Sequence, residues 1–559
     1  MKYLPLLLAC IISAVLMGCF GEVADNGPGD PDSGQALVEP QQPPEAGYFQ
    51  NLALVEAFKG FAQGNPIMTQ NFGADPNVLV WDDRLYVYMT ADSLRYSGNT
   101  VISHDYSTIT SLRVLSTADM VNWTQHPEIK KGEISLPNGN PASWIANLWA
   151  PALAAKEIDG QKKIFLYFSN SAGAVGVISA DNPLGPWTSP LSNGIVNAST
   201  PNTQDVVWIF DPGVLVDDDG RAYLYFGGGT PAGGNQVNGT YPDYDSKHPN
   251  PGTMRAVELG ADMASIIGIP VKLELPFTFE ASEINKINGM YYYSYSSNPQ
   301  VNHYATRPDD FPGAVLLGDT MAIGYATSSN PLGPFTLQGA ILHNPGKMFS
   351  LPYNNNHHKM FEFKGKWYLA YHTKLLMAAM NNYAGTNINL DYNYRATSID
   401  AVNIRPNGKI DLVNGTRNGV PQAGNFDPYQ VTDAATMAVM GGISTAEYQS
   451  ASGPRRMKVT GIDSGDWIAL RGVDFGSAGA TKFYCRVTPP AGGTNIIQIK
   501  IGRLSGVRVG YVVLEPGQPE YTIDLLQPDG MEQPITGIRD LVFVLYGSGW
   551  DFEEWQFIP

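Results

Sequence analysis

A chain of 559 residues with 43% hydrophobic and 16% charged side chains is long enough for more than one packed domain and has the composition of an ordinary globular protein. Its formal net charge of −17 repels phosphate, which argues against nucleic acid and anionic lipid surfaces as partners. Aromatics at 11% and 59 glycines suit many short strands joined by tight turns rather than long helices.

The chain opens with a targeting pattern. Lys2 precedes an apolar run from Leu4 to Met17, too short for a comfortable membrane span. The run ends Leu16-Met17-Gly18-Cys19, which resembles the lipobox of bacterial lipoproteins. That resemblance implies a lipoprotein signal over residues 1–19, cleaved just before a Cys19 that becomes lipidated and the new N-terminus, and export to a bacterial membrane facing the periplasm or the cell surface. The plainer alternative is a secretory signal with a chance Cys. Residues 20–48 are rich in Pro, Gly and acids and predict a disordered tether. Among Cys10, Cys19 and Cys485, only Cys485 falls in the folded part, so no intramolecular disulfide is expected there.

Residues 49–425 carry one phrase five times. Each copy has a polar or Pro-bearing start, a short strand, a tight turn and a second strand rich in Tyr, Phe or Trp. The starts are ADP at Asp75, WAP at Trp149, FDP at Asp211, FEA at Glu280 and NHH at His357, roughly 60 to 80 residues apart. Repeated β-hairpin units predict the blades of a five-bladed β-propeller. Equivalent positions then face a common axis, so Asp75, Asp211 and Glu280 converge. A second phrase, SADNPLGPW at Ser179 and SSNPLGPF at Ser328, reads as an outer turn with an aromatic packed beneath it. From residue 426 to 559 the phrase never returns. Short strands alternate with turns, which predicts a β-sandwich of the jelly-roll kind and an all-β chain overall.

Converging carboxylates suit glycoside hydrolysis, which needs one acid to protonate the leaving oxygen and one carboxylate to act on the opposite side. A third carboxylate near the acid keeps it protonated by like-charge repulsion. Phe72, Trp149 and Phe210, beside these starts, are candidate floor and walls of a sugar pocket. Glu283 rivals Glu280; Glu280 is preferred because it is read in the register of Asp75 and Asp211. A single Asp-Pro would mean only a turn, as the run Asp217-Asp218-Asp219 does.

The set ADP, WAP, FDPGVLVDDDG, FEASEINKINGMYYY and NNHHKMFEFKGKWYLAYH resembles the family 43 glycoside hydrolases, and the arabinoxylan-acting members most. The resemblance implies a five-bladed propeller that hydrolyses with inversion and needs no cofactor for its chemistry. It makes Asp75 the general base, Asp211 the residue that orients and raises the acid, and Glu280 the general acid. It also implies that His357, or alternatively His358, helps hold a hydrated structural calcium, although calcium prefers oxygen donors. Arg395, in YNYRATSID, matches an Arg reaching toward the sugar; the alternative is a surface ion pair. The implied substrate is arabinoxylan or its oligosaccharides, losing α-L-arabinofuranosyl side groups. A β-xylosidase and a non-catalytic sugar-binding propeller are the alternatives. TAEYQSASG, IDSGDWIALRGVDFG and GSGWDFEEWQF resemble a family 6 carbohydrate-binding module, with Glu447 matching a structural-calcium ligand. Of the aromatics expected for sugar stacking, one is replaced by Gly461, a second that should be Trp has only Tyr521 available, and Asp551 stands where an Asn is usual. A structural partner is therefore as good an expectation for this module as a sugar binder.

Overall fold

The computed structural model describes residues 63–97, 100–231, 244–382, 390, 393–450, 453–525 and 534–559. Cys19 and the segment from 1 to 62 lie outside the described residues. The molecule is all-β apart from a few short helical turns. Five antiparallel sheets come first, each opening on one of the five repeated phrases. Their opening strands are β1 (Ala74–Trp81), β2 (Trp149–Ile158), β3 (Gly213–Val216), β4 (Thr278–Ile287) and β5 (His358–Phe363). Each pairs with the next strand in sequence across a tight polar turn. β1 packs against β2, β2 against β3, β3 against β4, β4 against β5, and β5 against β1.

The near-continuous burial of each hairpin explains its place. In β1 and its partner Arg84–Thr90, Leu79, Val87 and Met89 are buried, while Asp82 and Asp83 take positive φ in the turn between them. An antiparallel hairpin returns to the edge where it began. Ala74 stands opposite Thr90, Trp149 opposite Ser169, Thr278 opposite Ser297 and His358 opposite Tyr371. The residues that open the first strand and those that follow the second therefore share one rim. The outer-turn phrase is also repeated in structure. Asn182 and Asn330 each accept a backbone N–H two residues on, at 3.0 and 2.9 Å, and Trp187 and Phe335 are buried below.

Residues 432–559 form two facing sheets. Phe483, Phe552 and Trp555 of one pack against Phe543 of the other at ring distances of 5.3–5.5 Å. The junction with the first part is short and strong. Thr432–Asp433 pairs with the last strand of the sandwich, and Thr436–Met437 adds a fifth strand to the first sheet by pairing with Trp123 and Thr124. One hydrophobic cluster contains Phe72, Leu376, Met380 and Tyr394 from the first part with Met440, Ile443, Phe543 and Trp555 from the sandwich. The two units share a core.

Candidate active site

Four of the repeated starts carry a backbone kink. Asp75, Ala150, Asp211 and Ala281 all have positive φ, between 39° and 61°. Three of them sit in a register irregularity, between Ala74 and Asn77, between Trp149 and Ala152, and between Glu280 and Glu283. Bulges of this kind re-aim side chains and gather at functional sites. They also correct the sequence reading. Ala281, not Glu280, occupies the register of Asp75 and Asp211, and Glu280 aligns with Ala74 and Trp149. The shared-register reason for preferring Glu280 over Glu283 therefore fails.

Hydrogen bonding separates those two carboxylates instead. Glu283 is 1% exposed and fully engaged: it accepts from Lys359 Nζ, from the Ile284 N–H at 2.9 Å and from Asn77 Nδ2 at 3.0 Å. Glu280 is also buried, yet its Oε1 has no hydrogen-bond partner among the described residues. It faces His357 instead. His357 Nδ1 lies 3.6 Å from Asp75 Oδ1, while Nε2 lies 3.4 Å from Asp211 Oδ2 and 3.8 Å from Glu280 Oε1. One imidazole thus stands with Asp75 at one nitrogen and the other two carboxylates at the second. His358 turns away to Ser294 Oγ at 2.6 Å.

The surroundings push the carboxyl groups apart. Burial raises Glu280, and the charges of Asp211 and Asp75 raise it further, so it stays protonated well above the usual carboxylate range. Burial also raises Asp211, with His357 opposing. Burial would raise Asp75 too, but Arg395 and His357 outweigh it and hold Asp75 well below that range. Asp211 is fixed by the Ala281 N–H at 3.1 Å and Ser169 Oγ at 3.3 Å. His372 Nε2 faces the Asn355 carbonyl at 2.9 Å, and its Nδ1 accepts the Asp75 N–H at 3.2 Å, so the proton sits on Nε2. A protonated carboxyl near an ionised one is the pairing that acid–base hydrolysis uses.

The remaining candidates fall in different places. Arg395 does not extend into open space: Nη1 binds Asp75 Oδ1 at 2.7 Å, and Nε and Nη2 bind Asp92, each at 2.9 Å. Phe72 is 3% exposed and packs on Tyr394, 5.3 Å between rings, in the core shared with the sandwich, and it lines a cavity of about 110 Å³ with Asp92, Leu376 and Met380. Trp149 and Phe210 are half-buried. Phe210 belongs to an aromatic group with Trp208 and Phe279, Trp208 lying 5.4 Å from each. Sequence reasoning missed Trp208, whose only signal was its place three residues before Asp211.

The two expected calcium sites differ: His357 stands with two carboxyl groups close enough to share an ion, whereas Glu447 is taken up by other partners. Calcium takes six to eight oxygens. Near His357 the candidate donors are one ring nitrogen with Asp211 and Glu280. The adjoining cavity, lined by Asp75, Asn77, Asp211, Glu283 and His357, leaves about 20 Å³ for the centre of a water, enough for one molecule. Asn77 and Glu283 already use their oxygens on N–H and ammonium donors. Glu447 is bound by cations and a backbone donor: Lys130 Nζ at 2.6 Å, Arg455 Nη1 at 2.9 Å and the Glu128 N–H at 3.0 Å. It tethers the sandwich to the first sheet. On the sandwich, Asp551 is paired with Lys458 at 2.6 Å, and the Tyr521 hydroxyl is held by the Glu515 N–H at 2.7 Å. Tyr521 and Trp550 are both buried, so neither presents a flat face to a sugar.

Comparison with known proteins agrees with this geometry. A family model described as glycosyl hydrolases family 43 matches residues 63–410, and one described as carbohydrate binding module (family 6) matches residues 433–559. The chain is 38% identical to an arabinoxylan arabinofuranohydrolase of Bacillus subtilis, over 89% of this chain and 93% of that one. It is likewise 38% identical to an arabinoxylan arabinofuranohydrolase of Paenibacillus polymyxa, over 89% of this chain and 74% of that one. The crystal structure of a family 43 arabinoxylan arabinofuranohydrolase from B. subtilis, in complex with cellotetraose, superposes with a TM-score of 0.77 at 37% identity, covering 89% of this chain and 98% of that one.

Proposed function

Because the chain belongs to glycosyl hydrolase family 43, we propose that it removes α-L-arabinofuranosyl side groups from arabinoxylan or its oligosaccharides by single displacement with inversion. The observation that carries this reading is the ionised Asp75 and the protonated Glu280 at opposite nitrogens of His357. Asp75 takes a proton from the water that attacks the anomeric carbon. Glu280 gives its proton to the departing xylan oxygen. Asp211 keeps Glu280 protonated until that moment. Inversion needs room for a water between the two carboxyl groups, whose separation runs about 6.5–9.5 Å in inverting enzymes against about 5 Å in retaining ones. The chemistry is carried by side chains and water without a cofactor.

Two structural readings support this proposal. We read the five sheets as the blades of a closed propeller, since the opening strands pack in a cycle and the site lies where they meet. We read the sandwich as a structural partner of the catalytic unit, because it shares a core and a sheet with it. Lipidation of Cys19 would hold the enzyme at a membrane, and the acidic chain would gain nothing from anionic lipid. The experiment is to incubate the full chain with arabinoxylan and, side by side, with xylo-oligosaccharides, and to identify the released monosaccharide. Arabinose from the first and nothing from the second supports the reading. Xylose from the second makes it a β-xylosidase, and no sugar from either makes it a binding protein.

A further inference from the structure

Asp92 follows the second strand of the first hairpin and so lies on the rim where Asp75 opens β1. It is 0% exposed. Its carboxylate is built around Arg395. Oδ1 accepts from Nη2 at 2.9 Å, and Oδ2 accepts from Nε at 2.9 Å and from the Arg395 backbone N–H at 3.1 Å. His104 Nε2 lies 3.1 Å from Oδ1. The other edge of the guanidinium delivers Nη1 to Asp75 Oδ1 at 2.7 Å. The backbones are joined as well: the Arg395 carbonyl accepts the Gly73 N–H at 2.9 Å, and Thr397 Oγ1 donates to the Gly73 carbonyl at 2.9 Å.

This arrangement does more than neutralise a buried cation. A fork held along its Nε–Nη2 edge by one carboxylate has its remaining edge fixed in direction. Arg395 Nη1 donates to Asp75 Oδ1, and the approaches of His357 and His372 to that carboxylate are also recorded at Oδ1. Oδ2 is the oxygen left to meet water. Rotation of the Arg395 head by a fraction of an ångström would release Oδ1 and let the carboxylate turn. Resting on the reading of Asp75 as general base, we propose that Asp92 is a positioning residue for that base: acting through Arg395, it locks the rotation of the Asp75 carboxylate so that Oδ2 faces the attacking water. Asp92 itself touches no reacting atom.

The test is a double-mutant cycle on the full chain with Asp92→Asn, Asp92→Ala, Arg395→Ala and Asp92→Ala/Arg395→Ala. The readouts are kcat and KM for arabinose release from an arabinoxylo-oligosaccharide, with thermal unfolding of each variant. Asp92→Asn keeps the shape and one acceptor but loses the two-point grip. It should lose about tenfold to a hundredfold in kcat, the scale of a misplaced reacting group, with KM within about threefold of wild type. Asp92→Ala should lose more. The double variant should be no slower than Arg395→Ala alone, because Asp92 acts only through that side chain. Near-normal kcat in folded Asp92→Asn, a loss confined to KM, or losses that multiply in the double variant would each overturn the proposal. If Asp92→Ala does not fold, the Asn variant decides. An inactive wild type would overturn the reading of Asp75 as a base, and this proposal with it. An active wild type with fully active Asp92→Asn overturns this proposal alone.

Discussion

Glu280 and Glu283 lie three residues apart on β4 and are both buried, yet they should fail in opposite ways. Glu280 faces His357 with an unpartnered oxygen, and burial with the charges of Asp211 and Asp75 keeps it protonated. Changing Glu280→Gln removes the proton donor and leaves the shape. The loss in kcat on an oligosaccharide should be about a hundredfold to ten-thousandfold, or about 3–5 kcal/mol in the barrier. Folding stability should hold, because a poorly solvated acid has been replaced by a neutral amide. With a leaving group acidic enough to depart unprotonated, such as dinitrophenol, much of the rate should return. Glu283→Gln does the reverse. It strips the counter-charge from Lys359, an ammonium 8% exposed, and breaking a buried pair from one side costs about 3–5 kcal/mol. Urea unfolding should show that loss, while kcat of the folded fraction stays within a few fold. A stable, inactive Glu283→Gln beside a normally active Glu280→Gln would refute the reasoning and move the acid to Glu283.

Other predictions concern the neighbouring groups and the ends of the chain. Asp211→Asn removes a negative charge that raises Glu280, so the alkaline limb of the kcat/KM profile, where the acid loses its proton, should move to lower pH; an unmoved limb would assign Asp211 another role. Deleting residues from 426 onward strips Thr436–Met437 from the first sheet and opens the shared core around Phe72, which directly precedes Gly73-Ala74-Asp75. The truncated chain should aggregate or melt well below the full chain, and a truncated protein with unchanged melting and kcat would contradict the shared-core argument. Expressed with its own N-terminus in a bacterium, the protein should fractionate with membranes, and Cys19→Ser should release it or block its processing; a soluble mature protein beginning elsewhere would dismiss the anchor.

The repeated phrase made the hairpins and their convergence legible, because apolar runs and turn residues are local properties that any copy displays. Asp75, Asp211, Glu280 and His357 were accessible for that reason. What stayed hidden depends on three-dimensional accidents of register and return. A bulge shifts Glu280 by one residue against Asp75, and nothing in FEAS marks where the extra residue lies. Asp92 sits in ADSLRYS with no motif around it, and its importance comes from a hairpin returning to its own starting edge and from Arg395 arriving some 300 residues later. Phe72 lines a cavity with Asp92, but it also belongs to the core shared with the sandwich, which its place before Asp75 does not reveal. Glu447 matched a calcium position, and the partners that claim it, Lys130 and the Glu128 N–H, belong to the other unit.

The first sugar released tests the roles of Asp75 and Glu280 most directly. Proton NMR of an arabinoxylan digest, recorded before the product mutarotates, reads both its identity and its anomeric configuration. Water activated by Asp75 on the face opposite the bond that Glu280 protonates should give β-L-arabinofuranose first from an α-linked side group. α-L-Arabinofuranose as the first product would mean a covalent intermediate and contradict the roles given to Asp75 and Glu280.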